Sequence, residues 1–305
     1  MKIGIVGDLH ILPVPEKRLD DYLTTGLNKI TEIASNCDYV IFLGDIFSRA
    51  KVDEQGLIRL IAHLNYCTSV YKTKFYTIIG NHDVTNEDES HIDESSLGVL
   101  SAAGIITLIT TENPVKIGEY TFNTVPVKFK TAKEFLIGKH YTKKDILLIH
   151  HEYETGTNCF AYNDFKDLGC HSIYLGHDHK PFDQGRIIYP EFTIYRSGSI
   201  MRNRTDDYNF TRTLYYYLLQ DENVSCVPVT TLPASSVFKA ESVDKLALQE
   251  RKYTEELDAL IDRYEHNVGV QDKYSVRKIL LSLNTPQENL GYLDKKYTAI
   301  GEILV

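Results

Sequence analysis

Tyr39-Val40-Ile41-Phe42-Leu43 is a short apolar run, and Gly44-Asp45-Ile46-Phe47 follows it with a glycine and a carboxylate. A run of this length, rich in β-branched and aromatic side chains, reads as a buried strand. A strand that delivers an acidic residue at its carboxyl end is how open sheets present chemistry. The pattern recurs on both sides of this stretch. Lys2–Val6 precedes Asp8 and His10, and residues 75–79 precede Gly80-Asn81-His82-Asp83. Residues 146–149 run into His150, and residues 173–175 precede Gly176-His177-Asp178-His179. Between the first three runs lie amphipathic stretches, 17–35 and 53–70, the second carrying Leu57, Leu60, Ile61 and Leu64 at helical spacing. Strand, helix, strand, helix, strand predicts a sheet covered by helices.

After Gly104 the texture changes to strand-like runs at 105–109, Val115–Ile117 and 120–125, then a helix near 132–137. Runs at 173–175, 193–196, 213–219 and 224–229 continue this β-rich part, which predicts a second sheet packed on the first. Turn residues at Leu232-Pro233-Ala234-Ser235-Ser236 mark a boundary, with a catalytic domain over 1–232 and a C-terminal region over 233–305. In the latter, Val243, Leu246, Tyr253, Leu257, Leu260, Ile261 and Tyr264 form a helical stripe. Thr285-Pro286-Gln287-Glu288 has the N-cap, N1 and N3 residues of a capping box. The predicted fold class is α/β, a two-sheet sandwich flanked by helices with a small C-terminal α/β cap.

The 305 residues, 43% hydrophobic and 25% charged, describe an ordinary globular chain large enough to bury a sizeable core. The first residues enter a strand directly and do not read as a signal peptide, and no apolar run nears the length of a bilayer span, so no membrane partner is expected. Five scattered cysteines, Cys37, Cys67, Cys159, Cys170 and Cys226, fit a reducing cytoplasm and are expected to be buried small hydrophobes. The net charge of −9 argues against broad polyanion binding, although part of it falls on residues whose charge bound cations would offset.

Imidazole and carboxylate together suit two divalent cations, with Mn²⁺ the expected pair and Mg²⁺, Zn²⁺ or Fe²⁺ also accommodated. Asp45 is the natural bridging carboxylate. A metal pair clamps a phosphate and acidifies a water, which supplies hydroxide for in-line attack at phosphorus. Taken singly, Asp-x-His after a strand, Gly-Asn-His-Asp and Gly-His-Asp-His are turn or loop chemistry. Their occurrence in order, each after an apolar strand, points to one dinuclear site.

These motifs resemble the calcineurin-like metallophosphoesterase superfamily over about the first 200 residues. The resemblance implies that Asp8, His10, Asp45 and His179 hold one metal and that Asp45, Asn81, His150 and His177 hold the other. Adjacent His150 and His151 compete for one ligand position; His150 is favoured because it directly ends its strand, leaving His151 to face substrate or solvent. By the same resemblance His82 is left to assist the leaving oxygen, oriented by Asp83. The stretch Gly44-Asp45-Ile46-Phe47, the Ile79-to-Asp83 motif and Tyr195-Arg196-Ser197-Gly198-Ser199-Ile200 are similar to the SbcD-type repair nucleases, phage recombination endonuclease subunits among them. Ser48-Arg49-Ala50 departs from that group, which often has an Asp just after the Phe.

The nuclease resemblance implies DNA as substrate, an SMC-like ATPase partner engaged through the C-terminal part, a possible homodimer, and a cytoplasmic location (the host cytoplasm for a phage protein). Arg49, Lys51, Arg202 and Arg204 are the expected phosphate contacts, with Lys128, Lys130, Lys180 and Arg196 in or near the same loops. Two other readings compete: a small-nucleotide phosphodiesterase or phosphatase, which predicts a closed pocket, and a metal-stabilised scaffold, which an intact His82 and a full ligand set oppose.

Overall fold

A computed structural model of the chain describes residues 1–11, 18–154, 158–202 and 213–239. The chain divides into two compact units, Met1–Val243 and Asp244–Val305. The second unit lies outside the described residues, as do the predicted helical stripe from Val243 to Tyr264 and the capping box at Thr285.

Strands and helices are numbered in chain order. The first sheet has the order β12-β11-β1-β2-β3-β4, formed by Asn223–Pro228, Tyr215–Gln220, Lys2–Val6, Tyr39–Phe42, Lys74–Thr77 and Thr107–Leu108. The second has the order β5-β6-β7-β8-β10-β9, formed by Val115–Ile117, Tyr120–Thr124, Asp145–Ile149, Ser172–Leu175, Thr193–Tyr195 and Arg186–Ile188. β1 to β4 run parallel and so do β6, β7, β8 and β10, while β11, β12, β5 and β9 pair antiparallel at the margins. Both sheets are therefore mixed, and the predicted two-sheet α/β class holds.

Parallel strands covered on both faces must be apolar on both faces, which explains the unbroken hydrophobic runs. Ile3, Ile5, Ile41 and Leu43 face the other sheet and meet Phe122, Ile146, Leu148 and Tyr174 in a common layer. Val6, Val40, Phe42 and Phe75 alternate to the opposite face. There they pack under α1 (Tyr22–Ala34) and α2 (Glu54–Tyr71) through Leu27, Ile30, Ile33, Leu60 and Leu64. Asp21 and Asp53 cap these helices, accepting from Thr24 N–H at 3.0 Å and Gly56 N–H at 2.7 Å. The outer face of the second sheet is covered by Ala132 and Leu136 of α4 (Phe129–Leu136) and by Phe160 and Phe165. Leu148→Ala, which opens a cavity at a fully buried position between the sheets, is expected to cost about 2–5 kcal/mol. Urea unfolding measures this, and a loss under about 1 kcal/mol would show that the layer repacks freely.

The chain beyond Leu232 stays on this unit as far as it is described: Leu19 N–H donates to Val237 O at 2.8 Å, and Val237 and Phe238 are buried. Cys37, Cys67 and Cys170 are buried as expected, whereas Cys159 is half-buried and Cys226 exposed. Cys226 lies on β12, the outermost strand of its sheet. Among the described residues no helix is long and apolar enough to cross a membrane.

Candidate active site

Because β1, β2 and β3 run parallel in one sheet and β7 and β8 in the other, their carboxyl ends gather Asp8, His10, Asp45, Asn81, His150, His177 and His179. Backbone bonds lock the strand-end loops together. His10 N–H donates to Asp45 O at 2.9 Å, Gly176 N–H to Ile149 O at 2.8 Å, and Ile200 N–H to Asp8 O at 3.2 Å. Asp8 Oδ1 accepts from His177 N–H at 3.1 Å and so joins the ends of the two sheets. His10, Asp45 and His177 have φ of 50°, 48° and 75°. This left-handed backbone costs a non-glycine residue roughly 1–2 kcal/mol and persists only where its surroundings impose it. Gly44 and Gly80 make room: a Cβ on Gly44 would come within 2.6 Å of His150 Nδ1, and one on Gly80 would collide with Asp45 Oδ1.

The side chains crowd at the centre. Asp45 Oδ2 lies 3.2 Å from His150 Nε2, 3.5 Å from His10 Nε2 and 4.0 Å from His82 Nε2. Asn81 Oδ1 lies 3.1 Å from His150 Nε2 and 3.0 Å from His177 Nδ1. His10 Nε2 and His179 Nε2 are 2.8 Å apart. Asp8 Oδ2 is buried without a hydrogen-bond donor, 3.6 Å from His179 Nε2 and 3.8 Å from His10 Nε2. Two imidazole nitrogens at that separation repel unless a proton or cation lies between them, and an undonated buried carboxylate oxygen is costly without positive charge nearby. Donor atoms of Asp8, His10 and His179, of His10, Asp45 and His82, and of Asp45, His150 and His177 each gather within 4.8 Å. The donor set therefore fits metal ions: Asp45 belongs to the second and last of these groups, and His10 links the second to the first.

Electrostatics favour positive charge here. Burial pushes the Asp8 and Asp45 carboxyls up, but the surrounding imidazoles outweigh it, and both are held below the usual carboxylate range. Burial pulls His150 down, while Asp45 and Asp8 push it up more strongly, so the net shift favours its charged form. A field that stabilises a proton on a buried imidazole stabilises a cation in the same place. Outer contacts orient the rings: His150 Nδ1–H donates to Leu43 O at 2.6 Å, leaving Nε2 directed at Asp45 and Asn81.

Several residues stand differently from the sequence expectation. His151 does not face substrate or solvent: it is buried against Phe129 and Phe160, and Nε2 lies 2.9 Å from Pro126 O. Burial, and then the charge of His150, depress it to about 4. Asp83 acts on the backbone around His82, and among the described residues no hydrogen bond joins it to the His82 ring. Its oxygens accept from Phe47 N–H at 3.2 Å and Gly80 N–H at 3.0 Å, bracing two loops, and burial followed by the nearby Asp45 charge raises it to about 7. The His82 ring instead meets the Ser48 carbonyl through Nδ1 at 3.1 Å, and the side chain is 47% exposed. A backbone carbonyl leaves no residue-type signal, so only the spacing from Asp45 could have drawn attention to Ser48. Arg202 is buried, with Nε donating to Leu232 O at 3.1 Å and its carbonyl accepting from Arg18. It is turned into the fold and cannot serve as an open phosphate contact. Arg196 is buried as well, beside Asp178. Arg49 and Lys51 are exposed next to Ser48, and Arg204 lies outside the described residues. Glu152, missed from sequence although it is two residues past His150, sits 4.0 Å from His177 Nε2.

Two six-stranded mixed sheets with this convergent donor set define a metal-dependent phosphoesterase. The family model for calcineurin-like phosphoesterases matches residues 1–250, and the chain belongs to that family, whose members use two divalent metals. Among solved structures it is similar to a dimetal phosphatase from Danio rerio at 11% identity, over 76% of this chain and 96% of that one, with a TM-score of 0.44. It is also similar to a hypothetical protein from Thermus thermophilus at 13% identity, over 75% and 97%, with a TM-score of 0.42. No curated protein matches the chain.

Proposed function

We propose that this phosphoesterase is a DNA nuclease subunit of the SbcD type, working with two Mn²⁺ ions. Asp8, His10, Asp45 and His179 hold one cation, and Asp45, Asn81, His150 and His177 the other. Bound there, the pair supplies Lewis acidity at phosphorus and lowers the pKa of an attacking water. Every other step belongs to the chain. The Ser48 carbonyl takes Nδ1–H of His82 and fixes the ring, so Nε2 is the atom that passes a proton to the leaving oxygen. Asp83 fixes the backbone of the loop that carries His82. The observation that carries the reading is the half-exposed His82 beside a buried donor cluster, next to a loop that presents Arg49 and Lys51 to solvent. Partners follow as proposals: an SMC-like ATPase engaged through 233–305, a second copy of the chain, and a cytoplasmic setting.

The competing reading, a small-nucleotide phosphodiesterase or phosphatase, gains from the burial of Arg196 and Arg202, which removes two cations from any DNA-binding face. The test is Mn²⁺-dependent cleavage of labelled linear DNA by the full chain, alongside an aryl phosphodiester and with a chelator control. Cleavage of both substrates supports the nuclease; hydrolysis of the aryl ester with intact DNA supports the small-substrate enzyme. If DNA is bound, Arg49→Ala with Lys51→Ala is expected to weaken binding across sequences and to flatten the slope of log K against log salt by about 1 per lost phosphate contact. An unchanged slope would remove both residues from the interface.

A further inference from the structure

The segment carrying His177 and His179 is held by a buried arginine. Arg196 follows β10 and is 7% exposed, with Nη1 3.0 Å from Asp178 Oδ2 and its guanidinium 4.0 Å over the Phe182 ring. Its backbone closes the same loop: Phe182 N–H donates to Arg196 O at 3.2 Å, and Arg196 N–H donates to Gly185 O at 3.1 Å. Asp178 lies between the two histidines, with N–H donating to Gly176 O at 3.1 Å and Oδ1 accepting from Lys180 N–H at 3.0 Å. One side chain therefore ties the β10 end to the turn between the two histidines. Glu152 approaches the same turn from β7, with Oε1 4.0 Å from His177 Nε2.

The chemistry of that turn makes the pairing consequential. A carboxylate between two imidazoles is itself a good ligand for a hard or borderline cation. Yet Asp178 belongs to none of the converging donor groups among the described residues, and one of its oxygens is engaged on Arg196. Without the guanidinium, Asp178 is an unpaired negative charge one residue from each histidine. It is then free to draw the turn towards the cations and displace the nitrogens from their positions. A planar, buried guanidinium stacked on an aromatic ring is suited to prevent this, because its direction is fixed where an ammonium would pivot.

We propose that Arg196 is a positioning residue for the phosphoesterase reaction, fixing the His177–His179 turn through Asp178 so that one buried guanidinium sets a nitrogen donor at each cation position. This inference rests on the ligand assignment proposed above.

The experiment is a double-mutant cycle on the full chain with Arg196→Met, Asp178→Ala and the combined variant. Mn²⁺ affinity is measured by calorimetry and melting is followed in metal-free buffer. Each single change is expected to weaken Mn²⁺ binding by about tenfold or more, as loss of an outer contact to a metal-binding histidine does. The combined variant should bind no more weakly than the worse single variant, because the two residues act as one unit. Additive losses would overturn the inference, placing the role of Arg196 in its packing on Phe182. Wild-type affinity in folded single variants, with melting alone lowered, would overturn it too and leave a structural arginine. Should Arg196→Met fail to fold, Asp178→Ala alone decides, with unchanged Mn²⁺ affinity overturning the inference. A wild-type chain that takes up no Mn²⁺ would remove the ligand assignment and the inference together, an outcome distinct from normal wild-type uptake with unaffected variants.

Discussion

Asp45→Ala is expected to bind neither cation and to lose hydrolysis of an aryl phosphodiester by roughly 10⁴-fold or more. The magnitude follows from several kcal/mol of transition-state stabilisation by the cations, at about 1.4 kcal/mol per factor of ten. The reason for losing both ions at once is positional. Asp45 Oδ2 lies within 3.5 Å of His10 Nε2 on one side and 3.2 Å of His150 Nε2 on the other, so one truncation opens both donor groups. It also removes the acceptor of the His82 backbone N–H, held at 2.9 Å in the native chain. Elemental analysis after dialysis gives the stoichiometry. Thermal melting gives a second measure: wild type gains about 2.7 kcal/mol per site when Mn²⁺ is at a hundred times its Kd, and the variant should gain nothing. A variant that retains one ion at full occupancy would show that Asp45 is not shared between the sites.

His82→Ala is expected to separate binding from chemistry. The ring is half-exposed and reaches Asp45 only at 4.0 Å, so metal occupancy should stay close to wild type. The kcat for a substrate with a poor leaving group should fall by roughly 10²–10⁴, the usual contribution of a positioned general acid. An aryl ester whose leaving group departs as a stable anion needs less protonation and should lose much less. Parallel kinetics on an alkyl and an aryl diester decide the point. Equal losses on both, or a loss of metal that tracks the loss of rate, would take His82 out of the acid role and make it a ligand with His10 and Asp45, the second convergent group.

The architecture was legible where local pattern and tertiary environment coincide. β1 was read to its ends as Lys2–Val6, and β2, β3 and β7 lie within two residues of their predicted ends, because strands buried on both faces must be apolar throughout. Among the elements that the pattern did not announce are β9, Arg186–Ile188, and α3, Ser96–Ala102. The former is a three-residue edge strand with only Ile187 turned to the core, and the latter is too short to show a helical period.

The candidate site divides along the same line. The order of residues says which side-chain types stand at the strand ends, and parallel pairing of β1, β2 and β3, and of β7 and β8, is sufficient to bring those ends together. It does not say where each side chain points. His150 and His151 are neighbours whose side chains leave the strand end on opposite sides, and only the packing of Phe129 and Phe160 puts His151 inside, away from Asp45. Arg196 and Arg202 look like surface cations until Asp178 and Phe182, or Leu232 and Arg18, are brought against them by contacts that no local pattern announces. A strand's apolar period is written in consecutive residues, whereas the turn of a charged side chain outward or inward depends on partners distant in the chain, which come together only when the whole unit folds.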